Sequence, residues 1–293
     1  MREEPVPQRV DPSWLEPRLS EPNLRVLDCT VHLRYEAGER VTESGRGDWE
    51  AGHVPGGTFV DIVEELSATD GGAHRFAMPT AEVFASTMGR HGVGDDSRVV
   101  LYDSESNQWA ARVWWLLRAF GFDNAGVLDG GWDRWQRENG PISTDDATPE
   151  RSSLSVDRRD GAFATKSRVL ESIDRDDRCL INCLRPGDYD ASGAVRYGRP
   201  GQIPTSVNVP SRGPAGIVDP DTGKYLPRSE LRRRFEAVGA FETDRVIAYC
   251  GGATAASSVA FALTLCGHDE VAVYDGSLSE WGNDPVLPME PGE

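Results

Sequence analysis

The stretch Arg245-Val-Ile-Ala-Tyr-Cys250-Gly-Gly-Ala-Thr-Ala-Ala256 decides the fold of this chain. A short apolar, β-branched run behind a charged residue has the pattern of a buried strand. The following run, Ala255 to Cys266, has helical length and stops at Gly267, glycine being the usual residue just past a helix C-terminus. Strand, glycine-bearing turn and helix in that order form one step of an α/β sheet.

The same step occurs earlier in the chain. Arg98-Val-Val-Leu-Tyr-Asp103 matches Arg245 to Cys250, and Trp109 to Phe120, ending at Gly121, matches Ala255 to Cys266. The register continues from Gly121 to Trp135 against Gly267 to Trp281, including Asp129-Gly130 against Asp275-Gly276. Upstream, Gly52-His-Val-Pro-Gly56 corresponds to Gly201-Gln-Ile-Pro-Thr205, and Arg25-Val-Leu-Asp28-Cys29 to Leu180-Ile-Asn182-Cys183. Matched segments in one order at nearly constant offset are an internal duplication. The polar, proline-bearing segment that starts at Pro141 reads as a linker. The expected organisation is therefore two α/β domains, 8–140 and 162–286, joined by a linker over 141–161. Strands alternating with helices predict mostly parallel sheets with helices on both faces.

The 293 residues suffice for two domains, each with its own core. Acidic residues outnumber basic ones, 48 to 31, for a net charge of −17. That balance argues against nucleic acid or an anionic membrane as partner, since both need a basic surface. A small anion held by a few arginines remains compatible with it. The first residues carry acids and prolines where an apolar targeting core would be. The longest apolar run, Val259 to Leu263, is too short to span a bilayer, so a cytoplasmic protein is expected. Five cysteines, an odd number, fit a reducing compartment. On a strand Cys179 and Cys183 would stand roughly 13 Å apart, too far for a disulfide. No C-x-x-C and no cysteine–histidine cluster with zinc-ligand spacing occurs, so no metal is expected.

Cys250 is the candidate nucleophile. Gly251 and Gly252 let the backbone turn and aim N–H groups inward, and the helix that starts near Ala255 adds its positive end. Residues Gly251, Gly252, Ala253, Thr254, Ala255 and Ala256 thus read as a cradle that favours a thiolate and equally an anionic persulfide. The other four cysteines lack this context and read as core thiols. In the first copy Asp103 replaces Cys250 within Asp-Ser-Glu-Ser-Asn-Gln-Trp, a loop without thiol or glycine and with two acids that would repel an anion. The first copy reads as keeping the fold but not the chemistry. Its tryptophan-rich helix reads as core or domain-interface packing.

These residues resemble the rhodanese superfamily in its tandem two-domain form, over nearly the whole chain. The resemblance is carried by Cys-Gly-Gly-Ala-Thr-Ala-Ala-Ser (250–257), Gly-His-Val-Pro-Gly (52–56), Gly-Gln-Ile-Pro-Thr-Ser-Val-Asn-Val-Pro (201–210), and Tyr274-Asp275-Gly276 with Trp281. It implies an inactive first domain and a catalytic second one. It also implies a sulfurtransferase in which the cysteine takes a sulfane sulfur, becomes a persulfide and passes it to cyanide or a thiol, with no cofactor. The neutral loop resembles the 3-mercaptopyruvate type more than the thiosulfate type, which carries basic residues there. It departs from the usual Cys-Gly-Ser-Gly-Val-Thr-Ala, however, with Gly252 in place of a serine to which proton transfer is assigned. The resemblance places carboxylate-binding arginines before the Gly-Gln-Ile-Pro segment, where Arg185, Arg196 and Arg199 are candidates and one usual arginine position holds Asp188. Asn182 and Gln202 replace the common Asp and His, and His74 and Asp61 fall where relatives line the cleft. Two other functions fit less well. Phosphatases of this fold need Cys-x5-Arg, and Ala256 stands at the arginine position. A non-enzymatic sulfur carrier or binding module would keep the same loop for a dedicated protein partner. Arg232-Arg233-Arg234 lies on an amphipathic helical pattern and reads as a solvated face. A monomer is expected.

Overall fold

The computed structural model describes residues 4–36, 39–68, 76–188 and 197–291. These fold into two compact units that divide after Arg159, with short segments at 76–77 and 222–224 grouping with the opposite unit. The first unit contains strands β1 (Arg9–Val10), β2 (Leu24–Asp28), β3 (Val31–Glu36), β4 (Glu39–Ser44), β5 (Thr58–Phe59), β6 (Arg98–Tyr102) and β7 (Ala125–Leu128). Its helices are α1 (Pro12–Leu15), α2 (Arg46–Ala51), α3 (Ile62–Glu65), α4 (Ala81–Arg90), α5 (Gln108–Ala119) and α6 (Gly131–Arg137). The second unit contains β8 (Phe163–Ala164), β9 (Arg178–Asn182), β10 (Val207–Asn208), β11 (Arg245–Tyr249) and β12 (Val271–Tyr274). Its helices are α7 (Lys166–Leu170), α8 (Arg228–Glu236), α9 (Thr254–Leu265) and α10 (Ser277–Trp281).

The duplication is visible in the sheets. The first has strand order β1-β7-β6-β2-β5, and the second, read from the matching edge, β8-β12-β11-β9-β10. All neighbouring pairs in both are parallel. Registers agree to the residue: Asp28 lies beside Tyr102, and Asn182 beside Tyr249. The amides of Cys29 and Cys183 make equivalent 2.8 Å bonds to the carbonyls of Tyr102 and Tyr249. The antiparallel β3–β4 hairpin follows β2 in the first unit.

Strand and helix positions follow from burial. The central strands β6 and β11 are buried on both faces, as their unbroken apolar runs require. Helices α5 and α9 have twelve residues each and are buried nearly all round, α5 around Trp109, Trp114 and Trp115. A helix apolar on every side belongs inside a core. Gly121 and Gly267 follow them in left-handed conformation, the reason glycine ends both. Arg228–Glu236 is helical, with Arg232 and Arg233 pairing with glutamates of their own helix. The segment read as a linker is held along the first unit up to Arg159: the amides of Ser152, Asp157 and Arg159 donate to carbonyls of Gly89, Phe120 and Ala119.

Candidate active site

Cys250 directly follows β11 and is 2% exposed. The loop to α9 is pinned by the turn that opens α10. Ser277 Oγ accepts the amides of Cys250 (3.1 Å) and Ala253 (3.3 Å) and donates its own proton to the Tyr274 carbonyl (2.7 Å). The amides of Leu278 and Ser279 donate to the carbonyls of Cys250 and Gly251, each at 3.0 Å. The left-handed residue of the loop is Ala253 (φ 63°), not Gly251. Gly251 is needed for another reason: a Cβ there would overlap the Cζ and hydroxyl oxygen of Tyr197. Tyr197 thus sits directly on the Cys250 loop, and only the contact across a glycine reveals it.

Of the six amides read as a cradle, two are committed within the loop, Ala253 to Ser277 Oγ and Thr254 to the Gly252 carbonyl (2.9 Å). The amides of Gly251, Gly252, Ala255 and Ala256 meet no protein acceptor among the described residues. The first N–H groups of any helix lack intrahelical partners and carry its positive end.

The first unit shows what such amides hold. Asp103 Oδ1 accepts the amides of Glu105 (2.7 Å) and Asn107 (3.0 Å), and Oδ2 those of Trp109 and Ala110 (2.8 Å each). Asn107 and Ala253 are the equivalent left-handed N-caps of α5 and α9, so Trp109 and Ala110 correspond to Ala255 and Ala256. The first copy therefore retains its cradle and fills it with its own carboxylate. This corrects the reading of that loop as one that repels an anion: Asp103 is the anion on the amides, and Glu105 Oε1 lies 3.2 Å from His32 Nδ1. Gly131 stands where the second unit has Ser277. Asp103 performs both tasks in the first unit, whereas Ser277 performs the structural one in the second, and the remaining amides meet no acceptor among the described residues.

The other thiols are less acidic than usual. Burial drives Cys29 and Cys183 far up, with the Asp28 charge adding at Cys29 and the Cys250 charge at Cys183. Burial also lifts Cys179 to about 12 and raises Cys266. No disulfide forms among the five, and no cluster of metal-ligating side chains occurs among the described residues.

The proposed anion-binding residues fare unevenly. Arg185 Nε donates to Asp188 Oδ2 at 2.9 Å, with the arginine side chain 60% exposed. Arg199 is an anchor: its guanidinium donates to the carbonyls of Trp281, Gly282 and Asp284. Asp61 caps α3, accepting the amides of Val63 and Glu64 as well as the Ser44 hydroxyl. Arg196 and His74 lie outside the described residues. Asn182 repeats the turn of its counterpart Asp28, its Oδ1 accepting the Leu184 amide, and Gln202 bonds to Glu290 and the Ser206 carbonyl.

A model of the rhodanese-like domain matches residues 11–138 and 167–284. The thiosulfate sulfurtransferase of Rattus norvegicus is 32% identical over 269 residues, covering 89% of this chain and 85% of that protein. The 3-mercaptopyruvate sulfurtransferase of Mus musculus is 32% identical over 271 residues, covering 90% and 86%. The crystal structure of SseA from Escherichia coli, described with the rhodanese fold of 3-mercaptopyruvate sulfotransferases, superposes with a TM-score of 0.81 at 25% identity. It covers 93% of this chain and 99% of that one. Two sheets of one topology, a filled cradle and an open one, and these similarities together mean that the chain belongs to the rhodanese-like family, as a tandem-domain sulfurtransferase.

Proposed function

We propose that Cys250 carries the transferred sulfur as a persulfide, loaded from 3-mercaptopyruvate or thiosulfate and delivered to a thiol or cyanide. One observation carries this reading. The helix-end amides that hold the Asp103 carboxylate in the first unit have, in the second, no protein acceptor among the described residues, and they follow a cysteine. Hydrogen bonds from such donors to an ionised acceptor contribute about 1.5–3 kcal/mol each. They would stabilise the anionic outer sulfur of the persulfide.

In the loading step the Cys250 thiolate attacks the donor's outer sulfur. An S–S bond forms while the donor's S–S or C–S bond breaks, and the electron pair leaves with sulfite or the pyruvate enolate. In the second step the acceptor attacks the outer persulfide sulfur and Cys250 departs as thiolate. No cofactor takes part. The neutral loop favours 3-mercaptopyruvate, and Arg185, exposed and paired with Asp188, is assigned with Arg196 to the donor carboxylate. The first domain is catalytically silent because Asp103 occupies its cradle permanently. No described helix is long and apolar enough to cross a membrane. A cytoplasmic monomer is the reading that the odd number of cysteines, none of them in a disulfide, supports.

The test is intact-mass measurement after incubation with each donor. One added sulfur atom, removable by dithiothreitol, is expected on wild-type protein and absent from Cys250→Ser. Equal loading of both proteins would refute the assignment.

A further inference from the structure

Beside the Asp103 loop, at the C-terminal end of the first sheet, lies a cavity of about 380 Å³, a size usual for small-molecule sites. Three of its lining residues are acidic, Asp28, Asp48 and Asp133, and none is basic. Carboxylates elsewhere in this unit are matched by arginines: Arg134 reaches Asp11 and Asp129, Arg90 reaches Glu65, and Arg159 reaches Asp123. These three are not. The Asp28 carboxylate, in a residue 5% exposed, accepts the amide and hydroxyl of Thr30. Asp48 shares the one imidazole of His32 with Glu105. The Asp133 carboxylate meets no partner among the described residues.

The cavity also holds an orphan. Ser104 lines it, and the Ser104 hydroxyl oxygen is shut off from solvent without a hydrogen-bond partner. A buried hydroxyl left in that condition is a cost that an occupant of the cavity would remove. One wall is apolar, formed by Trp132 and Ile142. They come together over Gly52, where a Cβ would stand 3.1 Å from the Ile142 side chain and 3.7 Å from the Trp132 ring. The duplication supplies a comparison. In the register of the repeat Ser104 corresponds to Gly251 and Asp48 to Tyr197. In the second unit the Tyr197 ring lies where a Gly251 Cβ would be, and so takes space that the first unit leaves open. The negative lining turns anions away. The carboxylates do not converge on a single ion either, since no cluster of metal-ligating side chains occurs among the described residues.

We propose that the first unit binds a small organic cation in this cavity, an ammonium or guanidinium carried on an apolar body. The charge lies against the carboxylates, the Ser104 hydroxyl accepts one of its N–H groups, and the body lies against Trp132, whose ring face attracts cations.

The test is calorimetric titration of the full chain with phenethylammonium, with 2-phenylethanol as its uncharged counterpart and Mg²⁺ as a bare cation. One saturable site with a Kd of about 1 mM or tighter is expected for the amine. Binding should be about 3–5-fold weaker in Asp133→Asn, the upper range for an exposed charge pair. It should be lost from Asp48→Tyr/Ser104→Gly, which installs the second unit's pair and fills the space. Circular dichroism checks that each variant folds; if the double variant does not, Asp133→Asn and the uncharged counterpart decide. No saturable binding by the wild-type chain would overturn the site, as would undiminished binding by either folded variant. Equal affinity for 2-phenylethanol, or displacement of the amine by equimolar Mg²⁺, would overturn the class of ligand. None of these outcomes depends on the chemistry of Cys250.

Discussion

Asp103→Asn probes the filled cradle directly. The carboxylate accepts four amides, two at each oxygen. An asparagine amide offers one acceptor oxygen, and its NH2 is a donor. Whichever way it turns, two buried N–H groups then face another donor. Each lost bond to a charged acceptor is worth about 1.5–3 kcal/mol, so the substitution removes about 3–6 kcal/mol. Removing the Asp103 charge also relieves the nearby Asp28 carboxyl, which that charge helps to raise, and this offsets part of the loss. The remainder is a large share of the roughly 5–15 kcal/mol available to a domain. Guanidinium denaturation followed by tryptophan fluorescence reads the right unit, because of eight tryptophans only Trp281 belongs to the second. The first unit should unfold at markedly lower denaturant. A change within about 0.5 kcal/mol, typical of an inconsequential surface substitution, would show that the carboxylate does not hold the loop.

Two further outcomes are expected. Burial raises the Asp28 carboxyl from 3.8 to about 6, so the folded state holds this proton more tightly than the unfolded chain. Stability from this group is present at low pH and lost as pH rises from about 4 through 6, with a ceiling of about 3 kcal/mol. Asp28→Asn, which keeps an acceptor for Thr30 as Asn182 does for Leu184, should stabilise the first unit by about 1–3 kcal/mol at pH 7 and little at pH 4. Denaturation curves at the two pH values check this, and a less stable variant at pH 7 would contradict it. Gly251→Ala forces a methyl into the Tyr197 ring and should lower stability by about 1–3 kcal/mol, read as a lower denaturation midpoint. An unchanged midpoint would mean that the phenol is not seated there.

The duplication, the parallel sheets and the position of Cys250 were legible because each is written locally: β-branched runs, helix lengths, and glycines at 121 and 267. The meaning of Asp103 was not. As a letter it is an acid in a loop, and only the folded turn brings the amides of residues 105, 107, 109 and 110 onto one carboxylate. Arg199 misled for the same reason, since an arginine near an expected anion site looks alike whether it meets substrate or main-chain carbonyls. Tyr197 left a trace in its partner. Gly251 has no left-handed backbone to justify it, and a glycine that does not need its φ is there for something that comes close. The neighbour itself is distant in sequence, so periodicity could not name it.

The Asp103 side chain amounts to a ligand tethered to its own receptor. Its effective concentration is set by one covalent bond rather than by supply, so the first unit is saturated under all conditions. The second unit has the corresponding amides without the tether, and its stability is therefore linked by mass action to whatever small anion or sulfur it carries. Two halves of one chain, nearly identical in topology, should thus respond oppositely to the same solution. Anions that fit the cradle should raise the melting of the second unit and leave the first unmoved.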